Sequence, residues 1–307
     1  MLSLHNLSRS FGSRLVVDDI SFDVGRGRLT GFVGGNGAGK TTTMRMILGV
    51  LRPDSGTVTL DGEPVDQDAL RGFGYMPEER GLYPKMEIGE QLAYLARLHG
   101  IDKSTAVHRA DDLLERLGLI ERRKDKLEAL SLGNQQRVQV AAALVHDPDV
   151  LIMDEPFSGL DPLAVDEVVT VIAEHAARGV PVLFSSHQLD VVERLCDDLV
   201  IIANGQVRAA GERDALRDQY AGNRWSLETS GDVGWVRGMA GVTVDELAGT
   251  TVLFDAEPGA ADAVLRAAVE RGTVTSFQRV RPTLGRIFRD IVVDANEKAS
   301  DERGAAA

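Results

Sequence analysis

The sequence predicts an α/β protein: a core with parallel strands, preceded by an antiparallel β layer, interrupted by a helical insertion, and followed by a small α+β domain. Three observations carry this. From Val150 onward strand-like and helical runs alternate, the pattern of parallel strands joined by crossover helices. From about Glu87 to His146 the pattern is helical throughout. Near Gln219–Asn223 the composition shifts, and strand-like pieces resume beyond it.

The elements follow in chain order. "LSLHNLSRSF" and "RLVVDDISFDV" read as strands split by Gly12–Ser13, and "RLTGFVG" as a strand running into glycine. "GTVTLDGEPV" reads as a hairpin turning at Asp61–Gly62, a dipeptide suited to two left-handed residues. "EQLAYLARLHG", "AVHRADDLLERLGL" and "NQQRVQVAAALVH" are the helices of an insertion spanning about 87–146. Then come the strand "DVLIMDEP", a helix through Val165–Ala177, the strand "VPVLFSS", another helix, and "LVIIANGQVRAAG". Domain boundaries are expected at 1–218 and 219–294, with 295–307 a disordered tail. The second domain offers strands "RWSLETS", "TTVLFDA" and "VTSFQRV", the helix "GAADAVLRAAVERG" and a final helix. In that last helix Leu284, Ile287, Phe288 and Ile291 share one face, which predicts its burial.

Composition narrows the function. At 307 residues the chain is long enough for a large domain and a small one. No apolar run reaches the length of a membrane span, and the N-terminus lacks the layout of a secretion signal. The single cysteine, Cys196, excludes an internal disulfide and reads as filler in an apolar helix. A net charge of −13 argues against nucleic acid as the main partner. The one compact basic run, "RRKDK" at Arg122–Lys126, is broken by Asp125 and reads as a solvated helix end or loop.

"GGNGAGKTT" at Gly34–Thr42 fits G-x-x-x-x-G-K-[ST] through Gly34, Gly39, Lys40 and Thr41. Glycines, Gly37 among them, let the backbone around Asn36 curl so that several N–H groups face one phosphate chain. Lys40 would reach the β- and γ-phosphates, and the Thr41 hydroxyl would ligate Mg²⁺. "VLIMDEP" is a buried strand ending in two carboxylates on opposite sides. Behind a phosphate loop, Asp154 would hold Mg²⁺ and Glu155 would polarise the attacking water. His187 closes "VPVLFSSH" at the carboxyl end of a strand, where open α/β sheets bind ligands. "SLGNQQRV" at Ser131–Val138 has the make-up of a helix start that receives an anion.

Taken in order, the phosphate loop, "LSLGNQQR", "LIMDEP", "SGLD" and "SSH" resemble the ATP-binding subunit of an ABC transporter across about Met1–Gly211. The resemblance implies a P-loop, RecA-like ATPase core. It also implies a head-to-tail dimer, homodimeric or pseudo-symmetric, in which Ser131 and Gly133 of one subunit bind the γ-phosphate of ATP held by the other. Position by position it implies that Phe11 stacks on adenine, and that Lys40, Thr41 and Thr42 contact phosphates and Mg²⁺. Asp161 would bridge the two sites, and His187 would sense the γ-phosphate.

Three positions depart from the usual pattern. Leu132 occupies a position where glycine is usual, and Asn134 one where glutamine is. Glu78, in "YMPEER", replaces the usual glutamine and is expected to ligate Mg²⁺ while altering turnover. "PEERGLYPKMEIGEQLAYLARLHG" and "PTLGRIFRDIV" are similar to an exporter subgroup that includes sodium-extruding members. In that subgroup a groove near Arg80–Tyr83 receives a cytoplasmic helix of a separate membrane permease, which implies a peripheral place on the cytoplasmic face of the membrane. The C-terminal domain is open between a packing or dimer-stabilising part and a substrate sensor. The alternative to a transport motor is an ABC ATPase acting on ribosomes or nucleic acid. One cassette per chain, no coiled-coil heptads and the acidic balance argue against it.

Overall fold

The computed structural model describes residues 1–79 and 81–293. β1 (Leu2–Phe11) and β2 (Arg14–Val24) pair antiparallel around a turn in which Gly12 has φ +60. β3 (Leu29–Gly34) is buried along its whole length and leads through a glycine loop into α1 (Lys40–Ile47). β4 (Ser55–Leu60) and β5 (Glu63–Pro64) form the expected hairpin, with both Asp61 and Gly62 at positive φ. These outer strands make one antiparallel sheet in the order β2-β1-β4-β5.

The central sheet adds β6 (Phe73–Met76), β7 (Val150–Asp154), β8 (Val182–Ser186), β9 (Asp198–Ala203) and β10 (Gln206–Glu212). Its order is β10-β9-β3-β8-β7-β6, parallel except at the β9–β10 edge pair. β6 is absent from the sequence reading. It is four residues long and contains Gly74, too short and too plain for a periodic signal. Leu2, Leu4, Leu7 and Ile20 of the outer sheet share one core with Phe32, Ile152 and Val200 of the central sheet and with Met44 and Ile47 of α1. Burying each such side chain contributes roughly 1.5–3 kcal/mol, so α1 and the loop before it are clamped between two sheets.

The insertion holds α2 (Ile88–Leu98), α3 (Lys103–Arg116) and α4 (Leu132–Leu144). Asp102 caps α3 by accepting from the Ser104 and Thr105 N–H groups, and Ser131 caps α4 by accepting from Asn134 N–H. The basic run starts on the last residue of a short 3-10 turn, with Arg122 paired to Asp125 and Arg123 to Asp111. Returning to the sheet, α5 (Pro162–Ala177) starts with proline in its first turn, and α6 (Leu189–Leu195) follows β8. Cys196 is not inside that helix, as the sequence suggested, but is the residue that ends it. It is 1% exposed, and burial pushes its thiol pKa up, which fits the filler role.

The described residues divide into two compact units, one of residues 1–213 with 291–293 and one of 214–290. α7 (Arg213–Gln219) opens the second unit. The unit continues with β11 (Arg224–Thr229), β12 (Val242–Ala248), β13 (Thr251–Ala256), α8 (Ala260–Arg271) and β14 (Val274–Arg279). These strands form an antiparallel sheet ordered β12-β13-β11-β14. Its core joins Leu227, Val252 and Phe254 to Val264 and Ala268 of α8. β12 is a second strand missing from the sequence reading, because its acidic, half-exposed "VTVDELA" lacks a clean alternation. Residues 284–293 are helical. Leu284, Ile287 and Ile291 are buried there as expected, while Phe288 is only half-buried. The expected 295–307 tail lies outside the described residues, as does Arg80.

Candidate functional site

The loop between β3 and α1 owes its shape to glycine. Gly37 and Gly39 have φ +76 and +109, conformations that L side chains rarely adopt. Gly34 has another constraint: a Cβ there would lie 2.6 Å from Ile202 Cγ2 and 2.7 Å from Ile202 O. Gly39 is also the N-cap of α1, and no side chain caps it. The N–H groups of the first helical turn are therefore left for a ligand, with the helix dipole behind them.

A cavity of about 580 Å³ opens here, lined by Val16, Asn36, Gly37, Gly39, Lys40, Thr41, Thr42, Glu78, Asp154, Glu155 and His187. Segments far apart in sequence thus meet at the carboxyl ends of β3, β6, β7 and β8. Lys40 Nζ lies on the loop itself, donating to Gly34 O at 2.7 Å and Gly35 O at 3.3 Å. The Thr41 hydroxyl donates to Asp154 Oδ2 at 2.8 Å. Thr41 and Asp154 therefore present two hard oxygens side by side, and Glu78 lines the same cavity. An oxygen-only donor set next to a phosphate-binding loop fits Mg²⁺ shared with substrate phosphates.

Asp154 and Glu155 are 1% and 9% exposed. Ser185 holds the pair. Its hydroxyl donates to Asp154 Oδ1 at 2.5 Å and accepts from Glu155 N–H at 2.9 Å. Glu155 has φ +53, a strained conformation for a residue with a side chain. Gln136 of α4 supports it by donating to Glu155 O at 3.0 Å and Pro156 O at 3.2 Å. Glu155 Oε2 accepts from His187 Nδ1 at 2.8 Å. The half-buried Tyr75 phenol has its pKa raised, first by burial and then by the Asp154 charge.

Not every expected site residue lines this cavity. Phe11, 49% exposed at the end of β1, is no core phenylalanine, and it lies outside the lining. Ser131, Gly133 and Asp161 are also outside it. Asp161 caps α5 by accepting from Ala164 N–H at 3.0 Å. Gly133 lies against the next segment, where an added Cβ would meet Gly159 O at 3.3 Å. The sequence reading missed Ser185, Gln136 and Gln139. They act on backbone groups and carboxylates 19 to 62 residues away, so no local pattern marks them.

The fold and this site define a P-loop nucleoside-triphosphatase. Comparison narrows the class further. Residues 17–158 match the family described as ABC transporter. Residues 211–292 match the family described as ATP-binding protein DrrA1-3-like, C-terminal domain. An uncharacterized ABC transporter ATP-binding protein of Bacillus subtilis (strain 168), YhaQ, is 36% identical over 94% of this chain and 97% of its own length. The linearmycin resistance ATP-binding protein LnrL of the same strain is 36% identical, covering 73% of each chain. A solved structure of an ATP-binding subunit of an ABC transporter superposes with TM-score 0.67 and 34% identity, over 72% of this chain and 93% of that one. The chain belongs to the ABC transporter family as an ATP-binding subunit, and it is an ATPase.

Proposed function

We propose that two copies of this chain close head to tail on two ATP molecules and drive a separately encoded membrane subunit, as the motor of an exporter. One observation carries the dimer. The helix start at Ser131–Gly133 has the composition and cap of an anion site, yet it lies outside the cavity formed by its own phosphate loop. A second copy placed head to tail supplies the missing nucleotide, and Asp161, also exposed, would sit where the two sites meet.

Within each site, the loop N–H groups and Lys40 would bind the phosphate chain, and Phe11 would stack on the base. Thr41, Asp154 and Glu78 would hold Mg²⁺, which offsets phosphate charge when bound. Glu155 would accept a proton from the attacking water, its backbone N–H held by Ser185 and its carboxylate oriented by His187. Pre-organised charge around the γ-phosphate, with no covalent intermediate, supplies the rate.

The export direction is supported by the name of a Nod factor export ATP-binding protein of Ralstonia nicotianae, 40% identical over 70% of this chain and 68% of its own length. No helix among the described residues is long and apolar enough to cross a membrane, so attachment to the cytoplasmic face would run through the membrane partner. A groove lined by Tyr83, Met86, Glu87, Glu90, Lys126 and Glu128 would receive that partner's cytoplasmic helix. Sedimentation of Glu155→Gln tests the reading. ATP should convert the variant from monomer to dimer, and a variant that binds ATP and stays monomeric refutes the composite site.

A further inference from the structure

Near the tip of the β1–β2 hairpin the Arg9 guanidinium carbon lies over the Phe11 ring, 5.2 Å from its centroid. This end of the hairpin borders the phosphate cavity. Val17 and Leu15 of β2 pair with Arg9 and Ser10 of β1, and Val16 between them lines the cavity.

The guanidinium is tethered from the side away from the ring. Arg9 Nη1 donates to Asp54 Oδ1 at 2.6 Å and to Arg52 O at 3.1 Å, both in the segment just before β4. Asp54 Oδ2 accepts from Ser10 N–H at 2.7 Å, so one carboxylate fixes both the cation and the backbone next to Phe11. The Arg9 side chain is 26% exposed, whereas Phe11 keeps about half of its surface open. A cation is attracted to the negative face of an aromatic ring. One face of Phe11 is thus occupied from within the chain.

Fixing a half-exposed ring adds little to folding, because its burial is incomplete. It does matter for a ring that must meet a flat partner, since the rotamer is then set before binding and less freedom is lost on contact. We propose that Arg9 is a positioning residue for the nucleobase, backing one face of Phe11 so that the opposite face receives the base. The inference rests on the reading that Phe11 stacks on the base. It extends the nucleotide site from the phosphate cavity to the Arg52–Asp54 segment, which acts on the base only through Arg9.

The test compares ADP, which carries the base, with pyrophosphate, which carries only phosphates, in calorimetric titrations of the full-length chain with Mg²⁺. Neither has the γ-phosphate that would close a dimer, so the result is independent of dimerisation. Phe11→Ala calibrates the base contact: it should weaken ADP by about fivefold or more, the scale of base–aromatic stacking, and leave pyrophosphate unchanged. Arg9→Gln should weaken ADP about two- to fivefold, leave pyrophosphate unchanged, and have no further effect in the Phe11→Ala chain. Arg9→Lys, which keeps the charge, should recover part of the loss, and melting curves report that each variant is folded. If Phe11→Ala binds ADP as the wild type does, the base-stacking reading falls and the inference with it. If Phe11→Ala weakens ADP but Arg9→Gln does not, the positioning role alone is overturned. It is equally overturned if Arg9→Gln weakens both ligands alike or acts undiminished without the Phe11 ring.

Discussion

Ser185→Ala removes one buried hydroxyl and with it two hydrogen bonds at the centre of the site. The residue is 0% exposed, so water cannot easily take the place of the lost oxygen. The bond to Asp154 has a charged acceptor and is worth about 1.5–3 kcal/mol, and the Glu155 N–H left unpaired costs about 1–3 kcal/mol. The two share one oxygen and adjacent residues, so they do not simply add. A total of about 3 kcal/mol is expected, which lowers Tm by roughly 6–12 °C for a domain of this size. Function should suffer in a particular way. The Glu155 backbone, at φ +53, holds about 1–3 kcal/mol of strain that its surroundings must restrain. Releasing the N–H lets the carboxylate drift, and a displacement near 1 Å costs about 10²-fold in rate. Thermal melts with steady-state ATPase assays should therefore show a lower Tm and a much lower kcat, with KM for ATP nearly unchanged. A Tm drop below about 2 °C together with kcat within about twofold of wild type would refute the reasoning.

Three further outcomes follow from other parts of the structure. Gly34→Ala pushes a methyl against Ile202 on β9 and should destabilise the chain by about 1–3 kcal/mol, with weaker ATP binding by calorimetry. Glu78→Gln replaces a carboxylate with a neutral amide, so half-maximal ATPase activity should need more Mg²⁺; identical Mg²⁺ dependence and rate would remove Glu78 from the metal site. The unfolded chain's His146 takes up a proton near the ordinary histidine value of 6.5 and the folded chain's, its charge disfavoured by burial and then by His99, only near 4. This group therefore costs no stability above pH 6.5 and progressively more as pH falls toward 4. Melting curves of His146→Phe should fall less over that window than those of the wild type.

Much of this architecture is legible in the sequence, and the parts that are not share a cause. The phosphate loop, "LIMDEP" and "SSH" are local strings whose geometry follows from the strand, turn and helix that contain them. All three converge on one cavity. β6 and β12 escape because one is four residues long and the other is half-exposed and acidic. Ser185 sits in a plain β run, and nothing nearby says that its hydroxyl joins two carboxylate residues 30 and 31 positions earlier. Gln136 and Gln139 lie within the quoted "NQQRVQVAAALVH", but their carbonyl partners are set by tertiary packing alone. Ser131, Gly133 and Asp161 are the reverse case. Sequence marks them clearly, and within a single chain they lie outside the phosphate-loop cavity.

Whether the opposite copy seals each ATP can be read from a cross-link between two separately tagged populations. One population carries Asn36→Cys on the phosphate loop and the other Ser131→Cys, both with Glu155→Gln. Asn36 and Ser131 are exposed, and the native Cys196 is buried and out of reach. With ATP and a short bis-maleimide reagent, the two tags should appear in one covalent species, and omitting ATP should abolish it. ATP-loaded chains whose tags never join would contradict the shared site.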